Sequence, residues 1–173
     1  ELAAIQSYSW IVLTSTNSVD LVFQRLLRGG GDCRSLAGVR IACYYGCQLV
    51  RPYTDLDDPD YPMMMDILMG AAGAVAVDFA AKTRCCGGSL TGTIEEVGLR
   101  LNYILLKEAK RKGADCIVTV CPLCQFNLEV TQSKIVRRYR EDVTIPVFYF
   151  SQILGLALGV PRADLGFSRS IIP

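Results

Sequence analysis

Five of the eight cysteines in this chain form one spaced set. They come from three separate stretches: Cys47 alone, the adjacent pair Cys85-Cys86, and a unit in which two residues separate Cys121 from Cys124. Thiolates are soft ligands that suit zinc and iron–sulfur clusters. Each stretch brings one or two thiols. A fold that places the three stretches around a common centre therefore forms a metal site. The spacing therefore predicts a cysteine-ligated metal centre.

Histidine is absent from the sequence. This removes the commonest protein metal ligand and the commonest general base together. Any metal is then held by sulfur, oxygen or backbone groups. The absence also excludes a Ser/His or Cys/His catalytic arrangement within this chain.

The number of thiols bears on the kind of metal centre. Five are one more than tetrahedral zinc or a plain cubane cluster uses, and five suit a cluster with an irregular core. Adjacent Cys85 and Cys86 cannot both chelate one small ion without strain, but they can bind different irons. Gly87-Gly88 allows close backbone approach and positive φ beside bulky sulfur. The Cys121–Cys124 unit alone would also suit a thioredoxin-like redox pair.

The remaining cysteines are predicted to lie outside this centre. Cys116 opens a buried strand and is expected in the core. Cys33 lies in a loop of Gly, Asp and Arg and is expected to be an exposed free thiol. Cys43 fits a core position better than a ligand, yet it is the best candidate for an extra ligand or a redox-active thiol.

Basic residues flank two of the cysteine groups. Arg51 follows the Cys47 turn, and Lys82 and Arg84 come shortly before Cys85. Two interpretations stay open. In the first, these side chains stabilise a negatively charged cluster or an anionic substrate. In the second, they are solvated surface charges.

Strands alternate with helices from Gly38 onward. Strands are predicted at 39–45, 75–79, 116–120 and 147–150, and helices at 59–68, 93–112, 122–139 and 151–158. This alternation predicts an α/β fold with a mostly parallel sheet of about four strands flanked by helices. Ligands of such sheets lie beyond the carboxyl ends of the strands. Since all three cysteine groups follow predicted strands, we expect the metal site at the C-terminal edge of the sheet.

Length and composition limit the remaining possibilities. We divide the chain into an N-terminal segment, 1–37, which is a linker or the remnant of a preceding domain, and a cysteine-bearing domain, 38–173. The missing initial Met favours a fragment or a processed chain, and no signal peptide is visible.

A net charge of +1 gives no argument for binding nucleic acid or an anionic membrane. No apolar run approaches the roughly 18–20 residues that span a bilayer, so we expect a cytoplasmic protein whose cysteines serve metals or redox chemistry.

The cysteine set and its surroundings resemble a known family. Cys47, Cys85-Cys86-Gly87 and Cys121-Pro122-Leu123-Cys124 are similar to the motifs of the cysteine-rich CCG domain. Three blocks narrow the resemblance to the C-terminal CCG domain in the B subunit of heterodisulfide reductase, or of a heterodisulfide-reductase-like protein. These blocks are 44–52, 121–128 and 149–159. The resemblance covers 38–159.

The resemblance implies an α/β unit that binds a non-cubane 4Fe-4S cluster. It implies an iron–sulfur component of a heterodisulfide-reductase-like complex, an oxidoreductase that reduces a disulfide or oxidises thiols with no catalytic residue beyond the cluster ligands. The implied partners are the A and C subunits of such a complex, or equivalent iron–sulfur or flavin proteins. The ligands carried over from the family are Cys47, Cys85, Cys86, Cys121 and Cys124.

Two departures from the family pattern stand out. The family protein has two CCG domains, and only the second is present here. Histidines are common near the first cysteine in the family, whereas Tyr44 and Gln48 lie close to Cys47 in this chain.

Two alternatives remain open from the sequence. In the first, four of the five cysteines bind zinc, and the domain is a structural or docking module of a redox complex. The second is a component of a related oxidoreductase, such as a glycolate oxidase or a lactate-utilisation iron–sulfur protein. The block at 152–159 argues against the second.

Overall fold

The computed structural model describes residues 36–51 and 57–172. Strands and helices alternate along this part of the chain, as the sequence predicts. In chain order the elements are β1 (Arg40–Tyr44), α1 (Met64–Ala71), β2 (Val75–Ala76), α2 (Glu95–Arg111), β3 (Cys116–Thr119), α3 (Pro122–Val130), α4 (Gln132–Tyr139), β4 (Val147–Tyr149) and α5 (Phe150–Ala157). Two short 3₁₀ helices follow, at Arg162–Leu165 and Phe167–Arg169.

The four strands form one parallel sheet in the order β2-β1-β3-β4. In the central pair, Ile41 lies opposite Cys116 and Tyr44 lies opposite Thr119. From β1 the chain first moves outward to β2 and then returns to place β3 on the other side of β1. The order therefore reverses between β1 and β3, and ligands of parallel sheets bind at such a point, beyond the carboxyl ends of the strands.

Side chains of each strand alternate between two apolar layers, since successive residues of a strand point to opposite faces. Ala42 and Tyr44 of β1 pack in the layer formed with α2, α3 and α4. Ile41 and Cys43 pack in the other layer, with α1 and α5. We call the first layer the cysteine face because Cys86, Cys121 and Cys124 lie in it or pack against it.

Most predicted bounds differ from the structure by one or two residues, and three elements differ by more. The strand predicted at 75–79 is only Val75–Ala76. The helix predicted at 122–139 is two helices, α3 and α4, which meet at Thr131. The Thr131 hydroxyl donates to the Asn127 carbonyl at 2.8 Å and accepts the Asn102 side-chain amide at 3.0 Å. A threonine that bonds back to the carbonyl four residues earlier commonly bends a helix, and the buried Asn102 contact fixes the bend.

The helix predicted from residue 59 begins only at Met64. The Asp57 carboxylate accepts the backbone N–H groups of Met63 and Met64, at 2.9 and 2.7 Å. A helix leaves its first N–H groups unpaired, and Asp57 satisfies two of them at this position. Upstream, the Asp58 side chain accepts the N–H groups of Asp60 and Tyr61 at 2.8 and 2.9 Å, which holds those residues in a turn.

The predicted N-terminal segment, 1–37, lies almost wholly outside the described residues, as does Cys33. The division of the chain at residue 37 therefore stays a prediction.

A buried glutamine joins α4 to Ile145, in the loop just before the strand β4, and its loss should destabilise the fold. Gln132 is fully buried, and its amide donates to the Ile145 carbonyl at 2.8 Å and accepts the Ile145 N–H at 2.9 Å. We expect Gln132→Met, which preserves the side-chain volume, to lower the free energy of unfolding by about 2–4 kcal/mol because two buried backbone groups lose a partner. Urea denaturation measures this loss.

The matched control is Ser133→Ala, one residue away on the exposed side of α4, which should change the free energy of unfolding by less than about 0.5 kcal/mol. Equal stability of the two variants would contradict a role of Gln132 in joining α4 to the loop before β4.

Candidate metal centre

The three cysteine groups lie where three strands end. Cys47 follows β1 after a two-residue turn, and Cys121 is the residue before α3, with Pro122 in the first helical position. Cys124 therefore lies in the first turn of α3. The Cys85-Cys86 pair lies in the loop after β2. The predicted location of the cysteines at the C-terminal edge of the sheet is confirmed.

The structure brings the three cysteine groups near one another. The Cys86 and Cys124 sulfurs are 3.4 Å apart, and the nearby Cys121 thiol contributes to the raised pKa of Cys124. On the more exposed side, Cys85 lies close enough to Cys47 to raise the pKa of its thiol, and it does so more than Cys86. Cys86 therefore contacts Cys124, whereas the adjacent Cys85 acts mainly on Cys47, which fits ligands of different metal atoms better than chelation of one ion.

Within residues 36–51 and 57–172, no three cysteine, aspartate or glutamate side chains are already arranged as the ligands of a single ion. The same residues hold seven cysteines, all of them free thiols.

Two glycines keep side-chain bulk away from these sulfurs. A Cβ added to Gly46 would lie 3.5 Å from the Cys124 sulfur and 3.8 Å from the Tyr44 hydroxyl, and one added to Gly88 would lie 3.5 Å from the Cys86 sulfur. Gly46 also has a φ of +71°, which favours glycine. The backbone thus comes close to the sulfurs on two sides.

A third glycine, Gly87, lets the Cys85-Cys86 turn lie close against α2. Gly87 has a φ of +73°, as the sequence predicts for this turn, and an added Cβ would lie 3.1 Å from the Cα of Gly98 in α2. The N–H of Gly87 donates to the Cys85 sulfur at 3.2 Å. Backbone donors aimed at sulfur are what tunes the potential of a thiolate-bound centre.

A buried asparagine ties two of the cysteine groups together. The Asn127 side chain donates to the backbone carbonyl of Cys86 at 3.0 Å. Asn127 follows Cys124 by three positions, which places both residues on the same face of α3. This residue was missed from the sequence, although a polar side chain on the buried face of a helix is a detectable signal.

The two buried thiols, Cys86 and Cys124, differ in pKa because a hydrogen bond joins them. The hydrogen bond with Cys124 lowers the pKa of Cys86 to about 6, against the opposing effect of burial. The same bond, with burial, raises the pKa of Cys124. Burial also raises the pKa of Cys47, and the nearby Cys85 raises it further. The thiolate is the metal-binding form of cysteine, and the hydrogen bond favours it at Cys86 over Cys124.

The other described cysteines lie on the opposite face of the sheet. Cys43 and Cys116 are both buried in the layer with α1 and α5. Burial raises the pKa of Cys116 to about 12. The prediction of core positions for both is confirmed, and Cys43 points away from the five thiols because it lies one residue before Tyr44 on the same strand.

The three basic residues near the centre differ in environment. Arg51 and Arg84 are exposed, as the solvation interpretation expects. Lys82 is fully buried, and its ammonium lies 2.9 Å from the carboxylate of Asp66. The solvation interpretation is therefore wrong for Lys82, and Asp66, its partner in α1, was not singled out from the sequence.

The family of the chain follows from the stretch that contains these groups. A family model described as "Cysteine-rich domain", CCG, matches residues 41–129, which include all five cysteines. The chain belongs to the CCG cysteine-rich domain family.

Curated relatives of this CCG chain are components of redox enzymes. It is 31% identical to the "8-methylmenaquinol:fumarate reductase membrane anchor subunit" of Wolinella succinogenes, over 80% of this chain and 50% of that protein. It is 34% identical to the B subunit of the "Ferredoxin:CoB-CoM heterodisulfide reductase" of Methanosarcina mazei, over 78% of this chain and 46% of that protein. A protein of Archaeoglobus profundus named as similar to the B subunit of heterodisulfide reductase is 30% identical, over 72% of this chain and 44% of its own length. The resemblance to the B subunit is confirmed, and the chain spans about half the length of the curated relatives it matches.

In the described part of this CCG chain, no helix has both the length and the apolar character needed to cross a membrane.

The space beside Cys124 can be tested with two glycines that flank β1. Gly46 and Gly38 both have positive φ, but nothing lies within 4 Å of a Cβ added to Gly38. Alanine at either position should cost about 1–2 kcal/mol of backbone strain. We expect only Gly46→Ala to reduce the metal bound per chain, since only its methyl group enters the space next to a sulfur. Elemental analysis of both variants measures this.

Equal metal content in Gly46→Ala and Gly38→Ala would mean that the space bounded by Gly46 is not used by a metal centre.

Proposed function

We propose that this CCG domain holds a non-cubane 4Fe-4S cluster on its five clustered cysteines and acts on a disulfide or on thiols within a heterodisulfide-reductase-like complex. The observation that carries the proposal is the convergence of five free thiols from three turns at the point where the strand order reverses. Five thiolates exceed the four ligands of tetrahedral zinc. Soft sulfur ligands without histidine suit an iron–sulfur centre.

The surroundings of the thiols fit such a cluster. Gly46 and Gly88 add no side chain of their own beside the Cys124 and Cys86 sulfurs, which lie 3.5 Å from the positions that a Cβ would take. The N–H of Gly87 already donates to sulfur. Cys47, Cys85, Cys86, Cys121 and Cys124 would be the ligands.

The difference in exposure among the thiols suggests where a substrate approaches. Cys86 and Cys124 are buried, whereas Cys85 is exposed and Cys47 and Cys121 are half-buried. Leu123 is also exposed, and its side chain would contact a Cβ at Gly88. A sulfur substrate would therefore reach the centre from the side of Cys47, Cys85 and Cys121, while the buried pair anchors it.

A bound iron–sulfur cluster supplies one-electron transfer to and from such a substrate. Cleavage of one disulfide bond consumes two electrons and two protons and yields two thiols, and thiol oxidation is the reverse. The protons come from solvent at the exposed side. The electrons come from or pass to a partner with ordinary iron–sulfur clusters or a flavin. The A and C subunits of a heterodisulfide-reductase-like complex would serve as these partners.

The names of the relatives support the redox character of the proposed function, but they do not point to one substrate. Two of them are named as the B subunits of CoB-CoM heterodisulfide reductases. Another is named as a subunit of a fumarate reductase. The redox character is common to these names, and the substrate differs among them, so we leave the proposed substrate at the level of a disulfide or thiol.

Ligand substitution tests the cluster directly. In the anaerobically purified holoprotein we expect Cys86→Ser to lose about four irons and a matching amount of sulfide per chain relative to the unsubstituted protein. Cys116→Ser is the matched control, because Cys116 is also buried but lies on the opposite face of the sheet. Its iron content should stay unchanged. Iron, sulfide and zinc are measured together by chemical and elemental analysis.

One zinc and no iron in the unsubstituted protein would overturn the iron–sulfur proposal and support the zinc-binding structural module instead. Unchanged iron in Cys86→Ser would show that the cluster, if one is present, lies outside these five cysteines.

A thiol-dependent paramagnetic signal would assign the sulfur chemistry to this domain. After oxidation in the presence of a thiol, we expect an EPR signal that changes with the thiol used and that disappears in Cys85→Ser. Cys85 is the exposed member of the set, so its loss removes a ligand on the side from which substrate approaches. A signal that is identical with and without thiol would argue for electron transfer alone, with the disulfide chemistry elsewhere.

A further inference from the structure

A fully buried ammonium group lies three residues before the Cys85-Cys86 pair. Lys82 has no exposed surface. Its ammonium donates to the carboxylate of Asp66 and to the Pro62 carbonyl, each at 2.9 Å, and lies 4.4 Å from the centre of the Tyr61 ring. A buried charge is costly unless it is paired and hydrogen-bonded. All of these partners come from α1 or the residues just before it, so the side chain of Lys82 attaches its loop to α1.

The backbone of Lys82 makes a second attachment, to the turn that carries Cys47. Its carbonyl accepts the N–H groups of Tyr45 and Gly46, at 2.9 and 3.0 Å. These are the two residues immediately before Cys47. One residue therefore contacts α1 through its side chain and the Cys47 turn through its backbone, while it belongs to the loop of Cys85.

Asp66 connects these two attachments through its second carboxylate oxygen. The Tyr45 hydroxyl donates to that oxygen at 2.7 Å. Tyr45 also accepts the backbone N–H of Met65 at 2.7 Å. Asp66 is thus bonded to one residue of each of the first two cysteine turns: Tyr45 beside Cys47, and Lys82 before Cys85.

We propose that Lys82 and Asp66 are positioning residues that set the distance between the Cys47 turn and the Cys85-Cys86 turn. This inference rests on the proposed use of these cysteines as metal ligands, but not on which metal they bind. The pair lies on the α1 side of the sheet, across β1 from the thiols, and acts through the backbone. Charge-assisted hydrogen bonds are directional, whereas apolar packing alone would let the two turns shift relative to one another.

A buried ion pair contributes little net stability compared with apolar residues of similar volume, and this permits a test of positioning separate from folding. The test compares the holoprotein with the double variant Lys82→Met/Asp66→Leu, which removes both charges and leaves neither unpaired. Because the Tyr45 hydroxyl and the Pro62 carbonyl also lose a partner, we expect its thermal midpoint to fall about as much as that of Gln132→Met, which likewise leaves two buried groups unpaired. The rate at which metal passes to an added chelator should rise at least tenfold over the rates in the unsubstituted protein and in Gln132→Met, and any EPR signal should broaden as the two turns sample more than one separation.

A surface ion pair provides the matched control. Lys110 and Asp142 are 3.3 Å apart, and the Asp142 side chain is largely exposed. Lys110→Met/Asp142→Leu removes the same charges away from the cysteine turns and from Lys82, and it should leave the rate of metal release unchanged.

The outcomes separate this inference from the proposed function. Metal release at the unsubstituted rate in a folded double variant would overturn the positioning role, whether the metal is iron or zinc. Metal analysis of the unsubstituted protein decides the proposed function independently. If the double variant does not fold, Asp66→Asn decides the question, since it keeps the side-chain volume and removes the charge, and Gln132→Met controls for the stability that is lost when the Lys82 ammonium is left unpaired. Faster metal release than in Gln132→Met then supports the inference, and a rate no faster than in Gln132→Met overturns it.

Discussion

Two backbone hydrogen bonds, from Tyr45 and Gly46 to the carbonyl of Lys82, hold the end of β1 against the loop that follows β2. The other features of the cysteine site depend on this contact. Without it, Cys47 and Cys85 would belong to separate surface turns. Because loops carry few fixed contacts of their own, the thiols need such ties to lie at a reproducible separation.

Tyr44 and Tyr45 reinforce this contact, one on each face of the sheet. On the cysteine face the Tyr44 hydroxyl donates to the Arg84 carbonyl at 2.6 Å. On the opposite face the Tyr45 hydroxyl donates to Asp66. Successive residues of a strand point in opposite directions, so the two adjacent tyrosines reach different elements: Tyr44 bonds the loop that carries Cys85, and Tyr45 bonds α1. The third group of ligands is attached differently, through Asn127 of α3 and the carbonyl of Cys86.

Much of the fold could be predicted because its signals are local. The uniformly apolar stretch at Cys116–Thr119 predicts a buried parallel strand, and it is the β3 strand in the centre of the sheet. The long amphipathic pattern of α2 predicts its helix to within two residues at each end. The bend at Thr131 could not be predicted, since it depends on Asn102, which is 29 residues away. The late start of α1 likewise depends on the Asp57 side chain reaching the backbone of residues 63 and 64.

The sequence by itself determined which functional groups are available: thiols of the kind that soft metals prefer, no histidine, and three cysteine groups that each follow a strand of a parallel α/β sheet. Only the tertiary structure decided how those groups meet. It brings the Cys86 sulfur within 3.4 Å of the Cys124 sulfur, turns Cys43 to the opposite face, and buries Lys82 against Asp66. The physical reason is that ligand type and strand periodicity are encoded by neighbouring residues. Burial, desolvation and hydrogen bonding arise between residues that are far apart in the chain and near only in the fold.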